Sequence, residues 1–236
     1  MLSASNIVQT AQGSTGSTNA SQVTLTLPAP TAAGNQLVIA VAAAAGVVGG
    51  VGHIIAFPSP FVDNGQVDTN APVPHLRLGS KATTAGESSW TVHLTNNNGS
   101  AATDAMCWWI AEVSGLHAYP SIGNAGAGGT DGGSATTLTV PNNSLNGSAD
   151  ELDIAAFVNH IASGTPKTVS SIANDVSQPG TWARLGSTVA TSNTTGANVR
   201  LDVFDKFPGA VGVRGAKVTW SASVTGAGGL VESYTA

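Results

Sequence analysis

Charge is scarce in this chain. Eight Lys and Arg stand against thirteen Asp and Glu, charged residues make up 9% of the 236 positions, and the formal net charge is −5. The basic residues are scattered singly, so nothing here could neutralise a run of phosphates, and nucleic acid is excluded as a partner gripped by its backbone. Cysteine is nearly absent. Cys107 stands alone, which rules out an intrachain disulfide and with it an extracellular disulfide scaffold. Set in the apolar phrase "MCWW", it reads as a buried, inert thiol and not a nucleophile. The opening "MLSASNIVQT" lacks a basic segment followed by an apolar core, so export through a signal peptide is not expected.

Long apolar runs are missing too. The nearest, "LVIAVAAAAGVVGGVG" from Leu37 to Gly52, contains the Gly46/Gly50 spacing of packed membrane helices, yet it falls short of the ~20 residues a bilayer demands. It reads as a buried strand followed by a glycine-rich loop, and no membrane partner is expected. Nor is there a G-x-S-x-G elbow or a glycine-rich loop ending in Lys-Ser or Lys-Thr, so neither an α/β-hydrolase nor a nucleotide-binding loop is supported.

What is present is alternation. In "VTLTLP", Val23 to Pro28, apolar Val23, Leu25 and Leu27 interleave with Thr24 and Thr26, the pattern of a half-buried strand stopped by a proline. "TTLTVP", Thr136 to Pro141, repeats it in the second half of the chain. Both copies follow loops of Gly, Ser and Ala and precede a polar turn and an apolar strand, setting Leu37, Ile39 and Val41 against Leu152, Ile154 and Ala156. Further strands are predicted at 6–10, 53–57, 75–82, 89–95, 105–113, 168–172, 182–190, 199–207, 217–224 and 230–234, each rich in β-branched or aromatic residues and bounded by turn formers. No window predicts a capped amphipathic helix. The expected fold is all-β, a jelly-roll-like antiparallel β-sandwich spanning 1–236 as one domain, built from pseudo-repeats of about 1–115 and 116–236.

Candidate chemistry is thin. Asp104, Glu112, Asp150, Glu151, Asp153, Asp202 and Asp205 include no pair at a spacing that selects a hydrolytic site, so they read as solvated strand-edge acids. For Glu151 and Asp153 in particular, alternation predicts a solvated face. His53, His75, His93, His117 and His160 lack the close pairs of a zinc site. "DNGQVD" places Asp63 and Asp68 where a loop could gather oxygens around Ca²⁺, though it reads first as a plain turn. No catalytic residue and no cofactor is assigned. Of the tryptophans, adjacent Trp108 and Trp109 must point to opposite faces of a strand, one buried and one free to meet a neighbour. Trp108, Trp109 and Trp182 are the interface candidates.

The phrases "GNQLVIAV", "WWIAEVSGL" and "ADELDIAAF", in that order and joined by Gly/Thr/Ser-rich loops, resemble the two-copy β-domain of minor tail and other virion surface proteins of tailed phages, especially those of actinobacteria. The matching positions are Gly34 to Val41, Val113 to Gly115 and Leu152 to Phe157. The resemblance implies a non-enzymatic virion structural protein, a minor tail or capsid decoration protein. It would be assembled in the bacterial host cytoplasm and would act through contacts with other virion proteins and copies of itself. The alternative is a carbohydrate-binding, lectin-like sandwich that recognises host-surface glycan through exposed tryptophan.

Overall fold

The computed structural model describes residues 1–44, 53–67, 74–96, 98–117, 127–131, 134–141, 149–161, 164–191 and 198–236. Among them every strand pairing is antiparallel, and the one helical element is a 3-10 turn at Ala4–Asn6. The first half holds β1 (Ile7–Ser14), β2 (Gln22–Thr26), β3 (Gln36–Ala43), β4 (His53–Ala56), β5 (Val62–Val67), β6 (His75–Ala82), β7 (Ser89–Asn96) and β8 (Met106–Val113). The second holds β9 (Ala127–Asp131), β10 (Ala135–Val140), β11 (Glu151–Ile161), β12 (Val169–Ala173), β13 (Ala183–Ala190), β14 (Asn198–Lys206), β15 (Ala216–Val224) and β16 (Gly226–Thr235).

Each half makes one five-stranded and one three-stranded sheet. The first half orders them β1-β8-β3-β6-β5 and β2-β7-β4; the second orders them β9-β16-β11-β14-β13 and β10-β15-β12. Renumbered within its own half, the second set repeats the first strand for strand, so the duplication extends from a six-residue phrase to the whole wiring. In both halves the chain changes sheet at nearly every step, as in a jelly roll, but the fifth strand stays beside the sixth and leaves the sheets five and three strands wide.

Four layers result: small, large, large, small. Val23, Leu25, Leu37, Ile39, Val92 and Ile110 fill the space between the sheets of the first half. Phe157, Phe204, Val218 and Trp220 do so in the second. A third cluster, with Val38, Ala40, Trp109, Ile154, Leu201 and Leu230, lies between the two large sheets and unites the halves. The expected single sandwich is thus two sandwiches back to back around a common core. This explains why β3 is buried at every position: both faces of its sheet are covered, and alternation gives way to a continuous apolar run. The repeated phrases, by contrast, lie on small sheets with one face in solvent. Leu25 and Leu138 turn inward while Thr24, Thr26, Thr137 and Thr139 stay exposed.

The repeat is offset by one residue from the phrase alignment. Leu37 lies opposite Lys81 and Glu112, whereas the residue opposite Lys206 and Ser233 is Asp153, not Leu152. Leu37 faces its own half's core, but Leu152, Ile154 and Ala156 face the shared one. A one-residue slip moves a side chain to the other face of a sheet, and the turns ahead of the two strands differ in length.

The halves meet with pseudo-twofold symmetry. β5 and β13 each carry a bulge, between Asp63 and Gly65 and between Arg184 and Gly186. Across the shared core Trp109 of β8 lies on Gly186, and Leu230 of β16, at the matching position, lies with Glu232 on Gly65. Edges β1 and β13 are stitched together: Gln12 accepts from the Ser187 N–H at 2.8 Å, and Thr188 donates to the Gly13 carbonyl at 3.2 Å.

Leu37 to Ala43 lie in strand β3; residues 45–52 fall outside the described set. Among the described residues no helix is long and apolar enough to cross a membrane.

Candidate functional site

The reading of solvated acids is overturned. Asp104, Glu112, Glu151, Asp153, Asp202, Asp205 and Glu232 are all buried. A carboxylate survives burial only when cations or hydrogen-bond donors replace its water, and the fold supplies them for most of these.

The densest group lies at one end of the second sandwich. Glu151 and Asp153 project from the start of β11 into the space between its sheets; Lys206 comes from the end of β14, Ser233 from β16, and Arg214 from the segment between β14 and β15. Lys206 Nζ is 3.5 Å and Arg214 Nε 3.0 Å from Asp153 Oδ2. Arg214 Nη2 donates to Glu151 Oε2 at 3.0 Å, and the Ser233 hydroxyl donates to Asp153 Oδ1 at 2.7 Å. Lys206 Nζ also donates to Asn174 Oδ1 at 3.2 Å and Gln178 Oε1 at 3.1 Å, and stands 4.5 Å from the centre of the Trp182 ring. Two acids thus face two bases. Burial pushes the Asp153 carboxyl up to about 6 against the pull of Lys206, Arg214 and Ser233, and burial lowers the Lys206 amine. With 0% exposure at Asp153 and Lys206, no substrate from solvent can reach the group.

In the first half Leu37 occupies the position of Asp153, and the matching Lys81 pairs at 2.5 Å with Glu87 beside Phe61 and Trp90. Both halves thus place a lysine beside aromatic rings here, and only the second sets a carboxylate opposite it.

The other acids serve local roles. Glu112 accepts from Gln9 at 2.6 Å, the Ala32 N–H at 2.8 Å and Asn35 at 2.7 Å, pinning the β2–β3 connection. Burial opposes its charge, but these donors outweigh it and hold the carboxyl below its ordinary value. Asp202 pairs with Arg200 at 2.8 Å and Arg184 at 3.4 Å. Asp150, partly exposed, pairs with the N-terminal amine at 3.4 Å.

Asp205 is buried with its Oδ1 lacking a hydrogen-bond partner among the described residues. Burial pushes this carboxyl up to about 6, against its own backbone N–H. The folded chain then holds a proton that the unfolded chain, with a carboxyl near 3.8, releases. Stability is therefore expected to fall as pH rises from about 4 to about 6 and to level off above. Asp205→Asn should gain about 2–3 kcal/mol at pH 7 and flatten that slope. Urea melts at intervals between pH 4.5 and 7.5 test it, and an unchanged slope in the variant refutes it.

His53 and His75 come within 5.8 Å ring to ring, and His53 Nδ1 is 3.5 Å from Asp104, all of them buried. His93 and His117 are exposed, and His160 is buried at the end of β11. Among the described residues no group of three or more His, Cys, Asp or Glu could hold a metal. Asp63 lies in strand β5, not in a turn, and pairs with Arg77 at 3.4 Å; Asp68 lies outside the described residues. Burial pushes the Cys107 thiol up to about 12, which removes its nucleophilic form near neutral pH.

The tryptophans divide as alternation requires. Trp109 is 1% exposed in the shared core and Trp182 7% exposed beneath Lys206, so neither offers a face to a partner. Trp108 is half-buried and lies against Gly13 on the wall of an open groove of about 360 Å³, where Ser14, Thr15, Thr18, Gln22 and Thr24 contribute only neutral polar groups.

Comparison with family models, with curated proteins and with solved structures finds no match to this chain.

Proposed function

We propose that the chain is a non-enzymatic structural protein of a tailed-phage virion, a minor tail or capsid decoration protein, working through contacts with copies of itself and with other virion proteins. The observation that supports this is where the charge sits. Seven of the thirteen acids, with Lys81, Lys206 and Arg214, are turned inward. The outward faces of the small sheets are left to Thr24, Thr26, Ser89 and His93 on one side and to Thr137, Thr139, Ser221 and a single Lys217 on the other. Sheet faces with so few charges can pack in repeated arrays without mutual repulsion. Peptide mass spectrometry and immunogold labelling of purified phage particles are expected to find the chain in multiple copies; its absence from particles made in the same lysate would sink the reading.

The groove beside Trp108 favours a second reading, recognition of neutral glycan by ring stacking and hydroxyl contacts. Glycan-array binding that Trp108→Ala abolishes would select it, and chelator sensitivity would show whether Ca²⁺ takes part.

A further inference from the structure

We infer that Lys206 and Asp153 condense inside the folded chain to an amide that cross-links β14 to β11. The two residues lie directly opposite each other in the antiparallel pair, and both side chains are wholly buried. Two donor positions of Nζ are occupied, by Asn174 Oδ1 at 3.2 Å and Gln178 Oε1 at 3.1 Å, and Asp153 Oδ2 lies 3.5 Å from the same nitrogen. As a neutral amine, Lys206 would keep both hydrogen bonds and have its lone pair left for the carboxyl. Oδ2 is held by charge, with Arg214 Nε at 3.0 Å and Lys206 Nζ at 3.5 Å, whereas Oδ1 takes the Ser233 hydroxyl at 2.7 Å. An amine and a carboxyl fixed by these partners on facing strands, away from water, are a favourable starting point for a reaction.

The steps balance without a cofactor. A proton passes from Nζ to Oδ2, leaving both groups neutral, while Arg214 and Glu151 stay paired and the site keeps zero net charge. Burial favours this neutral form, in keeping with the raised carboxyl and lowered amine. Nζ adds to Cγ, and the charge developing on Oδ1 takes the Ser233 hydrogen bond. The nitrogen gives a second proton to Oδ2, the Cγ–Oδ2 bond breaks and water leaves. Amine and acid become amide and water, with nothing oxidised or reduced. The remaining amide N–H retains Asn174 or Gln178 as acceptor, and Arg214 keeps Glu151. The first half lacks the reaction because Leu37 stands in place of Asp153. The inference does not depend on the virion role.

Intact-mass spectrometry of the denatured full-length chain is expected to find it lighter than its sequence by one water. A proteolytic digest should yield one branched peptide joining the Asp153 and Lys206 segments. Lys206→Arg and Asp153→Ala should both return the full mass, and Ser233→Ala should slow the appearance of the light form after refolding. The wild-type measurement decides alone, whatever the variants do to folding. A chain that keeps its full sequence mass after prolonged incubation in the folded state, or a water loss mapped to a single peptide, overturns the inference.

Discussion

Arg214→Ala is expected to destabilise the chain by about 3–5 kcal/mol, which for a protein of this length corresponds to a fall in Tm of roughly 6–20 °C. The guanidinium is 1% exposed and is the shared partner of two carboxylates, Glu151 at 3.0 Å and Asp153 at 3.0 Å. It also donates to the Gly212 carbonyl at 2.7 Å, so it fixes the path of the β14–β15 connection from within. Removing it leaves Glu151 without that cation, in a place water does not reach. The cost is then set by the stranded charge and not by the lost contact. Glu151→Gln in the Arg214→Ala background should recover part of the loss, because it removes one stranded charge. Differential scanning calorimetry of the two single variants and the double variant reads the coupling. If Arg214→Ala melts with the wild type, the cluster is not the buried pin described above.

Much of the fold was legible because period-two alternation and turn residues are local signals. Strand β6 matches its expected range, and the nine other further strands fall on observed ones, the ends shifted by one residue except in β1 and β16, which each extend four residues past one expected end. The two that escaped are β5, "VDNGQV", and β9, "AGGTD". Their Asn, Asp and Gly are turn formers with poor strand propensity, and tertiary pairing at the sheet edge overrides them. The repeat was legible as composition, but its register was not, since a phrase match carries no information about which face a side chain takes. The charged cluster was missed for a related reason. Alternation put Glu151 and Asp153 opposite Leu152 and Ile154, and that pattern describes a one-sided sheet. In a sheet covered on both faces the polar positions are interior as well. The available signal was scarcity: where charge is 9% of the chain, acids and bases inside apolar strands, as in "ELDIAAF" and "LDVFDKF", are candidates for internal pairs.

The second large effect concerns the seam between the halves. Trp109→Ala should cost about 3–5 kcal/mol, the range for emptying a buried aromatic site. The ring is 1% exposed and fills the bulge that Gly186 opens in β13. A Cβ at Gly186 would stand 2.6 Å from Trp109 Cδ1 and 2.7 Å from Gln12 Oε1, closer than side chains approach, so Gly186→Val should cost about 1–3 kcal/mol by overpacking. The two losses should not add. With Trp109 reduced to alanine, the valine would enter the vacated space, and the double variant should be more stable than the sum of the single changes predicts. Urea unfolding of the four proteins measures that coupling. Gly65→Val, at the matching bulge, should cost stability by meeting Glu232 and Leu230, but it should show no coupling to Trp109, because the pseudo-twofold axis places it at the other edge of the shared core. Additive behaviour of Gly186 with Trp109, or coupling of Gly65 to Trp109, would contradict the back-to-back packing on which the four-layer arrangement rests.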